Sequence, residues 1–87
     1  MAPASIKEAN KLFDSVLAIK NNDSKTEIVV APPLVYLPFI SLGNEKSGIK
    51  CASQDVFWEN PPTGGVAYTG EISPKMLKNL GVDYAII

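Results

Sequence analysis

Histidine is absent from the 87 residues, and cysteine occurs once. Without a His or a second Cys there is no metal site of the usual ligand spacing and no internal disulfide framework, which is the usage expected in a reducing cytoplasm. Excess charge is lacking too: eight basic against nine acidic residues leave a net charge of -1. Neither the lysines nor any arginine cluster makes a basic patch, which argues against nucleic acid and anionic membrane as partners. A long apolar run is also absent. The longest uncharged stretch, Ile28 to Ile40, carries three prolines and falls well short of the roughly 20 apolar residues of a membrane span. The N-terminus has no basic region leading into an apolar core, so no secretory signal is read there.

What is present is ordinary globular composition, 46% hydrophobic and 20% charged, enough for one small domain over residues 1–87. Ser5 and Glu8 form a capping box for a helix from Ser5 to about Lys20, with Ile6, Ala9, Phe13, Val16 and Leu17 on one face. Asn21 to Lys25 is a polar turn. Its Asn22-Asp23-Ser24 matches a glycosylation acceptor by chance in a chain with no secretory signal. Thr26 to Ala31 reads as a strand, and its continuous Ile28-Val29-Val30 favours a parallel sheet buried on both faces. Pro32-Pro33 ends it. Leu34 to Leu42 then forms a short helix with Val35, Leu37, Phe39 and Ile40 on its apolar side, and Ile49 to Gln54 is the second strand.

The last third is the most informative. Ser73 caps a helix whose first position is Pro74, where a missing N–H costs little, and Gly81 ends it in the left-handed conformation. Val82 to Ile87 is a third strand, again patterned for burial on both faces. The alternation predicts three parallel strands in sequential order with right-handed crossovers. The first helix has no strand before it and the last strand no cover after it, so the chain looks cut at both ends. Cys51 reads as a small buried hydrophobe.

Between Asp55 and Ser73 runs a loop of 17 residues that concentrates Phe57, Trp58 and Tyr68 with Pro61, Pro62, Gly64, Gly65 and Gly70. That is long for a connector and suggests binding. In the plainer alternative, Trp58 and Tyr68 simply cover the top of the sheet.

The run Tyr68-Thr69-Gly70-Glu71-Ile72-Ser73-Pro74, continuing through Met76-Leu77-Lys78 to Leu80-Gly81 and Asp83, resembles triosephosphate isomerase at its third loop, third helix and fourth strand. Upstream, Glu27 to Pro33, then Val35-Tyr36-Leu37 and Ala52-Ser53-Gln54-Asp55 follow the family's order. The resemblance covers nearly the whole chain. It implies an α/β fold, an incomplete TIM (β/α)8 barrel running from just after the first strand to the end of the fourth.

The resemblance also carries an activity: interconversion of dihydroxyacetone phosphate and D-glyceraldehyde 3-phosphate, a step of glycolysis and gluconeogenesis, in a cytoplasmic homodimer without a cofactor. The family's chemistry is itself a standard worked case, in which a Glu takes the carbon-bound proton and a neutral His polarises the carbonyl. By the same resemblance those groups, with an Asn and a Lys, lie before Met1 or after Ile87. No catalytic residue is therefore expected among these 87, and the fragment itself is expected to be inactive. Tyr68, Thr69, Gly70 and Glu71 match the loop that projects into the partner subunit. There Thr69 reaches towards the partner's active site, and Glu71 lies near the interface. Gln54 and Asp55 lie near the active site, at the carboxyl end of a strand where barrel enzymes place their working residues. Asp55 replaces the family's more frequent Asn, and the Gly64 to Ala67 stretch carries an extra residue. The alternative from another class is a small non-catalytic α/β interaction module using the aromatic loop 56–72.

Overall fold

A computed structural model of the chain describes residues 2–22, 25–43, 47–62 and 68–87. Helix α1 spans Ile6–Asn22 and is followed by strand β1, Val29–Val30. A 3-10 turn, Leu34–Tyr36, leads directly into α2, Leu37–Gly43, and then come β2, Lys50–Ser53, α3, Pro74–Leu80, and β3, Tyr84–Ala85. The three strands form one sheet in the order β1-β2-β3, each pair parallel. This is the expected α/β arrangement of an open, partial barrel.

The start of α1 is held as a capping box shifted outward by one residue. Ser5 Oγ accepts from the Glu8 N–H at 3.2 Å, but the Glu8 carboxylate reaches back to the Ala4 N–H at 2.8 Å rather than to that of Ser5. Helix α3 is closed at both ends. Ser73 Oγ accepts from the Met76 N–H, Asn60 Oδ1 accepts from the Lys75 N–H, and Pro74 has no N–H to satisfy. At its other end Gly81 takes φ +92°, and its N–H and that of Val82 donate back to Lys78 and Leu77 carbonyls in a Schellman motif.

The strands are shorter than the sequence suggests, because backbone pairing defines them and apolar runs overshoot it. Ladder bonds continue a little past their ends, from the Lys50 N–H to the Ile28 carbonyl and from the Asp83 and Ile86 N–H groups to the Cys51 and Ser53 carbonyls. Register places Val29 opposite Lys50 and Ala52 opposite Tyr84. Side chains alternate across a strand, so Glu27, Val29, Lys50, Ala52, Tyr84 and Ile86 share one face.

The opposite face carries the core. Phe13 from α1, Leu37 and Ile40 from α2, Leu77 from α3, Val30 from β1 and Cys51 from β2 are all buried in one cluster. Each large apolar side chain contributes about 1.5–3 kcal/mol by leaving water. All three helices therefore cover the same side of the sheet. Burial on both faces, for which the first and third strands are patterned, does not occur: Val29, Tyr84 and Ile86 are exposed, and on that face only the small Ala52, between its strand neighbours, is buried among the described residues.

Two helix faces also need correction. On the 3-10 and α2 segment, Leu37 and Ile40 are buried and Tyr36 packs partly against them, while Val35 is 69% and Phe39 56% exposed. Residues 35 and 39 are four apart and so lie together on the side away from 37 and 40. In α1, Ala9 and Phe13 are buried as expected, but Ile6 in the first turn is exposed. Pro38 is accommodated because it sits in the first turn of α2, where its N–H is not needed.

Candidate functional site

At the carboxyl ends of the strands the chain forms a cleft of about 280 Å³, lined by Pro33, Leu34, Ser53 to Phe57 and Gly70 to Ile72. It arises where the turn after β1 and the two limbs of the long loop leave the sheet. The Phe57 N–H donates to the Ile72 carbonyl at 2.8 Å and closes the base of the loop. Gly70 turns the returning limb with φ +83°, and the Glu71 N–H donates to the Tyr68 carbonyl.

Four of the six residues singled out from the sequence meet in this cleft: Gln54, Asp55, Gly70 and Glu71. Gln54 Nε2 donates to the Ala31 carbonyl at 2.7 Å and ties the end of β2 to the end of β1. Asp55 Oδ1 accepts from the Val56 N–H at 2.8 Å, a local loop bond, and both Asp55 and Glu71 are exposed. The lining contains these two carboxylates and, among the described residues, no cationic side chain.

Tyr68 and Thr69 lie elsewhere. Thr69 is exposed at the turn, and Tyr68 is half-buried in a small recess with Phe57, Pro61, Glu71, Ser73 and Met76. The ring of Tyr68 lies 5.0 Å from that of Phe57, and its hydroxyl donates to Glu59 Oε1 at 2.5 Å. That bond first, then partial burial and the nearby Glu59 charge, push the phenol above its usual range. The loop's exposed aromatic is Trp58, at 78%. Gly64, Gly65 and the extra residue of the Gly64 to Ala67 stretch lie outside the described residues.

Two features were not legible beforehand. Ser53 is buried at the cleft floor, and its Oγ has no hydrogen-bond partner among the described residues. Its position just before Gln54 at a strand's carboxyl end was the available signal. Glu59 was not among the residues singled out from the sequence, and nothing in its spacing announced a bond to Tyr68. Cys51 is buried as expected, and burial, aided by the Asp83 charge, pushes its thiol up.

Among the described residues no group of three or more His, Cys, Asp or Glu side chains is placed to hold a metal ion, and no helix is long and apolar enough to cross a membrane.

Residues 2–87 match the family model described as triosephosphate isomerase. The chain is 44% identical over 80 residues to a triosephosphate isomerase of Thermoanaerobacter sp. strain X514, an alignment covering 92% of this chain and 30% of the relative. It is 35% identical over 83 residues to that of Trichlorobacter lovleyi, covering 95% of this chain and 32% of the relative. The same-named protein of Acetivibrio thermocellus is 41% identical over 83 residues, 93% of this chain and 32% of the relative. The chain thus spans about a third of the length of the curated relatives it matches.

Proposed function

The chain belongs to the triosephosphate isomerase family, and on that premise we propose that it forms part of an enzyme interconverting dihydroxyacetone phosphate and D-glyceraldehyde 3-phosphate. The observation that carries this reading is the family match across residues 2–87. Triose phosphate is then the substrate, no cofactor takes part, and glycolysis and gluconeogenesis in the cytoplasm are the setting. The match gives no support to a free-standing, non-catalytic module built on loop 56–72.

Within that enzyme, residues 1–87 supply scaffold and interface rather than reacting groups. A dianionic phosphate needs cations or clustered N–H donors, whereas the cleft here presents two carboxylates, Asp55 and Glu71. The proton transfers need a base and an electrophile from other parts of the barrel, so residues 1–87 alone are inactive. Gln54 and Asp55 border the substrate site from the carboxyl end of β2. Gln54, through its bond to the Ala31 carbonyl, fixes the spacing of two strand ends on which that site is built. Tyr68, Thr69, Gly70 and Glu71 form the part of the loop that enters the partner of a homodimer. The exposure of Thr69 and Trp58 supports that role.

The test is to purify the natural polypeptide carrying these residues, assay isomerisation of glyceraldehyde 3-phosphate, and measure its mass in solution. Turnover above buffer by a dimer is expected. A monomer would remove the loop's interface role, and no turnover would sink the assignment of activity.

A further inference from the structure

The outgoing limb of the long loop carries Phe57, Trp58, Glu59 and Asn60, and each of its two polar residues reaches a different neighbour. Asn60 Oδ1 accepts from the Lys75 N–H in the first turn of α3 at 2.9 Å. Glu59 Oε1 accepts from the Tyr68 hydroxyl on the returning limb at 2.5 Å. Below them the Phe57 N–H meets the Ile72 carbonyl, and the Phe57 and Tyr68 rings meet tilted at 57°. Trp58 is left between anchored neighbours and projects into solvent.

Of these ties, the one between Glu59 and Tyr68 joins the two limbs farthest from the loop's base, immediately before Thr69. Backbone bonds at the base leave the upper limbs free to splay. A hydrogen bond to an ionised carboxylate is short and roughly twice as strong as a neutral one. The tilted ring contact resists separation but is only weakly directional, so the directional element is the hydroxyl. The upward push on the Tyr68 phenol agrees with that geometry, since the bond holds the proton on oxygen.

We infer that Glu59 is a positioning residue: its carboxylate, by accepting from the Tyr68 hydroxyl, clasps the two limbs of the loop and thereby sets where Thr69 and Trp58 stand. It touches no reacting atom and acts through Tyr68. The importance of that placement rests on the homodimer reading above, but the clasp itself can be tested apart from it.

The experiment compares Glu59→Ala, Glu59→Gln and Tyr68→Phe in the natural polypeptide. Amide hydrogen exchange is read at Glu71, whose N–H donates to the Tyr68 carbonyl, with Val82, bonded to Leu77 in the cap of α3, as the reference. Ultraviolet titration follows the Tyr68 phenol, identified as the transition that disappears in Tyr68→Phe. Glu59→Ala and Tyr68→Phe should each speed Glu71 exchange by about tenfold, the factor expected of one hydrogen bond to a charged group, and leave Val82 unchanged. Glu59→Gln, which keeps an acceptor without the charge, should retain most of the protection while bringing the phenol down. Glu71 exchange that stays at the wild-type rate, or that rises no more than Val82 in all three variants, overturns the inference. A clasp that behaves as described in a protein without isomerase turnover would support the inference while sinking the functional reading.

Discussion

The hydroxyl of Tyr84 donates to Glu27 Oε1 at 2.9 Å, joining the third strand to a residue two positions ahead of the first across the width of the sheet. Lys50 lies between them, its Nζ 3.9 Å from the same carboxylate oxygen and 5.9 Å from the Tyr84 ring centroid. Lys50 and Glu27 are 46% and 55% exposed, so water screens the pair and its worth is small, about 0–1 kcal/mol. Tyr84→Phe, which keeps the ring and removes the bond, should lower the stability of the natural polypeptide by about 1 kcal/mol in urea titration. A loss above about 3 kcal/mol would mean that the hydroxyl is part of a dry network.

The two sides of the 3-10 turn and α2 should respond differently to truncation. Leu37 is fully buried against the sheet, whereas Val35 is 69% exposed. Leu37→Ala is expected to cost about 2–5 kcal/mol and Val35→Ala within about 0.5 kcal/mol, both by chemical denaturation. Equal losses would place Val35 in an interface rather than on a free surface.

Cys51 should be a slow thiol. Burial first, and the Asp83 charge second, hold its proton on sulfur above the ordinary range. A raised folded-state pKa means stability that is fully present below the unfolded thiol's value and lost as pH climbs through the folded one. Labelling by a disulfide reagent should therefore stay limited by opening of the structure through neutral pH. Asp83→Asn should ease deprotonation slightly. Rapid labelling at pH 7 would contradict the burial of Cys51 beneath the helices.

Residues 1–87 expressed by themselves should show neither isomerase turnover nor a cooperative thermal transition. Val29, Tyr84 and Ile86 stand about half exposed on the uncovered face, each forfeiting about 1 kcal/mol of burial in a domain whose whole stability is about 5–15 kcal/mol. A sharp calorimetric transition from a monomer, or turnover above buffer, would refute one half or the other.

The helix boundaries and the order of elements were legible because they rest on local chemistry. Ser5, Ser73, Pro74 and Gly81 act within one turn of where they stand in the chain, and the parallel arrangement follows from strands separated by helices. The cleft was legible in part. Gln54 and Asp55 could be placed at a strand's carboxyl end, but no spacing rule joins them to Gly70 and Glu71, which follow 15 residues or more later. Which aromatic would face solvent was not legible either: Trp58 and Tyr68 look alike in composition, and the Glu59 and Phe57 contacts hold Tyr68 in while Trp58 stays out.

The residues alone therefore determined the α/β class, the caps, the parallel sheet and the family to which the chain belongs, since each depends on neighbours within a few positions or on a long contiguous motif. Tertiary structure decided what non-local pairing controls: that Ser53 is buried with a hydroxyl unpartnered among the described residues, that Glu59 clasps Tyr68, that Tyr84 reaches Glu27, and that Leu37 and Ile40 rather than Val35 and Phe39 meet the sheet. Burial is a property of two surfaces brought together. A strand written in apolar residues on both faces is buried only where something packs against each, and among the described residues the helices cover one face alone.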